Sequence, residues 1–257
     1  MVLPLTRERK KASMIDIHCH ILPGIDDGAK NVSEAVEMIT MQRTCKVNAM
    51  YLTPHFSAEE KTLEEFLLER DKAWEQLSAV LDHKDSPDIR IGAEVRYCQE
   101  ILSMDLRKVT LGQSDYLLLE LPSQRYPAYA LQSIEKLLEK GIIPILAHVE
   151  RCSYFREDPN LLKRLIDLGA LAQVSAQALF DKRDKNFSIA CLCQNLAQIV
   201  ASDAHDPAKR KPNMDVVRKL PRVLLQSHNA FSEAVWKNEL PPYIQTSNVR
   251  KTFFGYR

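Results

Sequence analysis

Seven short apolar runs, each separated from the next by a longer stretch, constrain this chain more than any other feature of its sequence. The runs are Ile15–His18, Ala49–Thr53, Ile89–Val95, Tyr116–Leu121, Ile142–Ala147, Ala170–Ser175 and Ile199–Ser202. Segments of helical periodicity lie between them at Val32–Thr44, Leu63–Leu81, Tyr129–Glu139, Pro159–Leu168 and Phe187–Asn195, with one more at Met214–Leu225 after the last run. Short apolar runs alternating with amphipathic helices predict repeated β-α units and a parallel sheet rather than an all-α or all-β fold. Ser33 suits the N-cap of the first helix, Pro159 a first helical turn, and Gly141 and Gly169 the positions just past a helix end. The expected fold class is α/β. A single domain over residues 14–240 follows an N-terminal extension, Met1–Ser13, and precedes a C-terminal tail, Pro241–Arg257, in which Phe253, Phe254 and Tyr256 dock on the body.

Charge and composition narrow the function classes. In 257 residues, 35 Lys and Arg stand against 34 Asp and Glu, a net charge of +1. That balance carries no electrostatic footprint for nucleic acid or an anionic membrane. With 45% hydrophobic and 27% charged residues the chain has the composition of a folded globular protein. Six cysteines without framework spacing read as reduced thiols, which predicts a cytoplasmic protein. The basic stretch Arg7–Lys11 is followed by no signal-peptide h-region, and no apolar run approaches the roughly 18 residues of a membrane span.

The chemistry lies in where the histidines fall. Five of the seven sit at ends of predicted strands: His18 and His20, His55, His148 and His205. Carboxylates hold matching places: Glu94, Glu120, Asp203 and, in the loop after His20, Asp27. In a parallel β/α barrel the carboxyl ends of all strands meet at one face, so residues scattered from 18 to 205 converge there. Imidazoles and carboxylates without a thiolate suit manganese, iron, zinc or magnesium, with donors enough for two or three ions. Taken singly, His18-Cys19-His20 and Asp203-Ala204-His205 have ordinary readings as half-buried histidines and a capped turn. Glu94 and Glu120 are harder to dismiss, because a carboxylate inside an apolar run is costly to bury unless something cationic compensates it. Cys19 points to the opposite face from its neighbours and packs rather than ligates. Cys191 and Cys193 do not share a helix face, no cysteine has the phosphate-loop spacing of thiolate phosphatases, and Gly24–Lys30 does not match a P-loop. His83 and His228 are expected at the surface.

Together these residues have a family pattern. Met14–His20 with Asp26-Asp27-Gly28, Thr53-Pro54-His55, Gly92-Ala93-Glu94, Leu119-Glu120, Ala147–Arg151 and Ala201–His205 make the chain resemble the CpsB/CapC-type bacterial tyrosine-protein phosphatases, members of the PHP (polymerase and histidinol phosphatase) superfamily. The resemblance runs from Met14 to beyond Pro212, and the full ordered set is specific where a lone H-x-H is not. It implies a distorted seven-stranded (β/α) barrel of the PHP type holding three metals, manganese first among the candidates. His18, His20, Asp203 and Glu94 would hold the first ion; Glu94, Glu120 and His148 the second; Asp27, His55 and His205 the third. Arg151 would bind phosphate, and Arg210 would be a second such arginine, with Lys209 and Lys211 as rivals for its place. Val174-Ser175 departs from the pattern, which has asparagine after the valine. The implied activity is hydrolysis of phosphotyrosine by metal-activated hydroxide, on a bacterial tyrosine autokinase that controls capsule or exopolysaccharide biosynthesis, with homo-oligomers known among relatives. The alternatives are a PHP-type phosphatase of a small ester such as histidinol phosphate, a phosphodiesterase, or a metal-stabilised scaffold.

Overall fold

The computed structural model describes residues 14–82, 86–248, 251–252 and 255–256. Met1–Ser13, His83, Phe253 and Phe254 lie outside them. The strands are β1 Met14–Asp16, β2 Val47–Leu52, β3 His55–Phe56, β4 Asp88–Ile91, β5 Glu94–Arg96, β6 Tyr116–Glu120, β7 Ile143–Leu146, β8 Leu171–Ser175 and β9 Ile199–Ala201, with a small antiparallel pair, β10 Lys251–Thr252 and β11 Gly255–Tyr256. The helices are α1 Val32–Thr44, α2 Leu63–Ser78, α3 Ala130–Glu139, α4 Ser153–Glu157, α5 Pro159–Leu168, α6 Lys185–Cys193 and α7 Arg222–Lys237.

β1 to β9 pair only in parallel, in a three-stranded sheet of order β1-β2-β4 and a six-stranded sheet of order β3-β5-β6-β7-β8-β9. The sheets curl toward each other. After β1 and β9 the chain makes a parallel bridge between Cys19 and Ala204, with His20 N–H on the Ala204 carbonyl at 2.8 Å and Asp203 N–H on the His18 carbonyl at 2.9 Å.

One of the expected strands is broken in two, and another is followed by a short strand that the sequence did not suggest. The run Ile89–Val95 divides into β4 and β5 at Gly92-Ala93, and the second strand pauses at Thr53-Pro54 before β3. Pro54 has no amide hydrogen to donate. Gly92 passes so close to Leu111 that a Cβ there would lie 2.8 Å from Leu111 Cδ2. Hydrogen bonding continues past both breaks, through Gly92 N–H to the Leu52 carbonyl and Glu94 N–H to the Pro54 carbonyl.

Strand alternation sorts the apolar side chains into two cores. Ile15, Tyr51, Tyr116, Leu118, Ile145, Leu171 and Ile199 form one cluster, against which Phe231 and Val235 of α7 pack. Leu117, Leu119, Leu146, Val174 and Val200 point the other way and join the cluster shared with the surrounding helices. Since the strand period is two, Glu94 falls on the opposite face from Ala93 and Val95, both members of that outer cluster.

Several boundaries move. The helix expected at Met214–Leu225 is a 3-10 turn, Met214–Lys219, followed by α7, because Pro221 holds Leu220 extended and forces a restart. His228 therefore turns inward; it is buried, not at the surface, and accepts a hydrogen bond from Val200 N–H at 3.2 Å. Burial lowers its pKa to about 4, so it is neutral. Asn31 rather than Ser33 caps α1, accepting from Glu34 N–H at 3.0 Å. Pro159 opens α5, and Gly141 and Gly169 take positive φ, as their positions predict. In the tail, Ser247 N–H reaches the Gln194 carbonyl, and the Tyr256 ring lies 5.0 Å from Phe187 with its hydroxyl on the Arg156 carbonyl.

Candidate metal centre

All nine predicted donors converge at the carboxyl ends of the strands. Glu94 is the hub. Its Oε2 lies 3.3 Å from His18 Nε2, 3.3 Å from His20 Nε2 and 2.9 Å from His55 Nδ1, and its Oε1 lies 2.8 Å from His148 Nε2. Asp203 Oδ1 stands 3.4 and 3.6 Å from the Nε2 atoms of His18 and His20. Glu120 Oε1 is 3.7 Å from His148 Nε2. On the open side, Asp27 Oδ1 is 3.4 Å from His55 Nε2 and 3.3 Å from His205 Nε2. Three sets offer donor atoms within 4.8 Å of one another: His20, Asp27, His55 and His205; His18, His20 and Glu94; and His55, Glu94 and Glu120. His20 and His55 thus each join two sets, a sharing that the sequence does not reveal.

The backbone at the site is strained. His148 and Asp203, each just beyond its strand, adopt φ of 31° and 51°, the left-handed region that costs a non-glycine residue of order 1–3 kcal/mol and persists where the surroundings over-determine it. Gly28 serves the same end. A Cβ there would stand 2.1 Å from the His20 carbonyl oxygen, so only glycine lets the Asp26-Asp27 loop fold back onto His20.

The hydrogen bonds behind the cluster determine what it can hold. Gln173 Oε1 accepts from His148 N–H at 2.8 Å, which fixes that atom as the amide oxygen, and it lies 3.2 Å from His18 Nδ1. Asp26 Oδ2 is 2.8 Å from His20 Nδ1. Both Nδ1 atoms therefore carry a proton, and when the rings are neutral, as metal binding requires, both Nε2 atoms present lone pairs. Those lone pairs face each other at 3.0 Å and face the carboxylates of Glu94 and Asp203. Like-signed groups at that distance need a cation among them. Glu94 Oε2 and His205 Nε2 are buried without a hydrogen-bond partner, as donors for metal would be. The residues present fit divalent ions.

Without metal, protons take that place. Burial pushes His20 down, but Asp26 and Glu94 more than reverse this and raise its pKa to about 10. Burial pushes Glu94 up, and His18 and His148 hold it well below the carboxylate range; Asp203 is likewise lowered against its burial by His18 and Arg151. His205 goes the other way, to about 3, from burial and the charge of His20.

Both predicted arginines reach the cluster. Arg151 pairs with Asp203, and Arg210 Nη2 lies 3.1 Å from Asp203 Oδ2 while its Nη1 lies 3.4 Å from Asp27 Oδ2. Its neighbours Lys209 and Lys211 are exposed. Two supporting residues had no assigned role in the sequence. Asp26 braces His20, His55 N–H and Gly28 N–H, and Gln173 braces His18 and His148. The doubled acid before Gly28 and an amide inside an apolar strand were the signals. Cys19 packs, its thiol on the Tyr51 carbonyl at 3.2 Å.

Curled parallel sheets that deliver imidazoles and carboxylates to one end are consistent with the PHP-type class of α/β proteins. Within it, the chain belongs to the CpsB/CapC family of capsular polysaccharide synthesis, whose model matches residues 14–229. It is 37% identical over 204 residues to the tyrosine-protein phosphatase YwqE of Bacillus subtilis, covering 77% of this chain and 79% of that one. It is 30% identical over 245 residues to the putative tyrosine-protein phosphatase CapC of Staphylococcus aureus, covering 92% and 90%. One of the crystal structures of YwqE from Bacillus subtilis and CpsB from Streptococcus pneumoniae, unique metal-dependent tyrosine phosphatases, matches with a TM-score of 0.78 at 29% identity, over 90% of this chain and 100% of that one.

Proposed function

We propose that this chain is a metal-dependent protein-tyrosine phosphatase, and that its substrate is a bacterial tyrosine autokinase controlling capsule or exopolysaccharide biosynthesis. The observation that carries the reading is the pair of Nε2 atoms of His18 and His20, 3.0 Å apart and directed at the carboxylates of Glu94 and Asp203. Residues 14–240 act as one phosphatase domain, its strand segments occupying seven positions of a distorted barrel. His18, His20, Asp27, His55, Glu94, Glu120, His148, Asp203 and His205 hold two or three divalent ions, manganese by preference. The protein works in the cytoplasm, and assembly with further copies of itself is compatible with this role. Among the described residues no helix is long and apolar enough to cross a membrane.

Divalent cations held by these nine residues would supply hydroxide at neutral pH and neutralise charge on the phosphoryl group. The chain's own residues do the rest. Asp26 and Gln173 keep the Nδ1 protons of His20 and His18 in place, fixing the tautomer that each donor needs. Arg151 and Arg210, which lean on Asp203, present guanidinium groups at the rim, where they orient the phosphoryl oxygens and stabilise the charge that grows on them. A tyrosine phenolate, with a pKa near ~10, departs with less help from an acid than an alkoxide requires.

Phosphate release from a phosphotyrosyl peptide, histidinol phosphate and a short oligonucleotide, measured in parallel with added Mn(II), tests the substrate class. Preferential turnover of the peptide is expected. A preference for histidinol phosphate or the oligonucleotide would retain the centre and overturn the substrate, and silence on all three would favour a scaffold.

A further inference from the structure

We propose that Arg96, a residue outside the nine donors and the two phosphate-binding arginines, is a positioning residue that turns the Glu120 carboxylate toward the metal centre and is itself steered by Glu60. This inference rests on the metal-centre reading above.

The placement follows from the strands. Glu94 and Arg96 are two residues apart on β5, so both face the cluster side, and the β5–β6 register sets Arg96 beside Glu120 at the last position of each strand. Arg96 Nε lies 3.5 Å from Glu120 Oε2, while Arg96 Nη1 donates to Glu60 Oε1 at 2.9 Å. Glu60 stands in the turn after β3, so one guanidinium ties together the ends of three strands. Glu120 needs such a tie. Asp26 is fixed by two backbone amides and Glu94 is enclosed by four imidazoles, but Glu120 is 23% exposed and its Oε2 makes no hydrogen bond. A carboxylate so placed rotates unless a charge holds one oxygen. Arg96 holds the buried Oε2 on its own side, which leaves Oε1 directed at the centre beside His148 Nε2.

The 3.5 Å separation is that of an ion pair rather than a hydrogen bond, so charge, not the planar fork, does the orienting. A lysine should therefore substitute and a methionine should not. The test is Mn(II) binding by titration calorimetry to chelator-stripped wild type, Arg96→Met, Arg96→Lys and Glu60→Gln, with thermal melting of each stripped protein. Arg96→Met is expected to weaken one class of Mn(II) about 10–100-fold, leave the remaining ions and the melting of the stripped protein unchanged, and recover kcat at excess Mn(II). Arg96→Lys should stay within about fivefold of wild type, and Glu60→Gln should lose about two- to fivefold. Arg96→Met binding Mn(II) like wild type would overturn the proposal, as would Arg96→Lys failing as badly as Arg96→Met. Wild type that takes up no Mn(II) would instead overturn the metal centre itself.

Discussion

Glu94→Gln is expected to lower kcat/KM for a phosphotyrosyl peptide at least about 10³-fold, because several kcal/mol of charge stabilisation by bound metal would be lost and each 1.36 kcal/mol is tenfold in rate. No other residue touches so much of the site. The Glu94 carboxylate is fully buried and within 3.3 Å of four imidazoles, so an amide there removes the one negative charge common to two of the candidate donor sets. Metal analysis of the purified variant should show fewer ions per chain. Circular dichroism keeps the result interpretable, since removing one partner of a buried pair also costs about 3–5 kcal/mol of stability. Glu94→Asp serves as the companion, retaining charge while withdrawing it from the imidazoles. Wild-type turnover in Glu94→Gln would remove the hub from the mechanism.

Arg151→Ala is expected to cost about 10²–10³ in kcat/KM, the scale of losing one preorganised donor to a developing oxyanion, with metal content at the wild-type level. Its guanidinium stands at the edge of the cluster, paired with Asp203, which holds its pKa up against burial. A phosphoryl group arriving between the two would take over that pairing. Arg151→Lys should recover only part of the loss, since an ammonium offers a point charge where the fork offers two parallel hydrogen bonds. Steady-state kinetics on the peptide, with metal analysis alongside, decides the matter. An Arg151→Ala protein that has lost its metal would show that the arginine acts through Asp203 rather than on substrate.

The donors were legible because their side chains are unusual where they stand. A carboxylate after Leu117-Leu118-Leu119, or a histidine after Ile145-Leu146-Ala147, contradicts its surroundings, and the contradiction is visible in one dimension. The strands carrying them were legible for the complementary reason that buried parallel strands are uniformly apolar. What escaped was set by contacts distant in sequence. The break between β4 and β5 depends on Leu111 crowding Gly92, and the inward face of His228 depends on where Pro221 restarts the helix. Gln173 acts on a partner 155 residues away, and its place inside an apolar strand marks it as unusual without saying which histidine it braces. Arg96 pairs with Glu120 only because β5 and β6 lie in register.

Mn(II) titrated back into chelator-stripped protein, with bound metal and phosphate release from a phosphotyrosyl peptide read on the same sample, is the measurement to make. Turnover should be absent in stripped protein and return in step with uptake at pH 7.5. Uptake must displace the proton from His20, whose pKa is raised to about 10, so more protons compete as pH falls and affinity at pH 5.5 should be at least about tenfold weaker. Turnover that survives complete stripping would contradict a metal-dependent centre built on His18, His20 and Glu94.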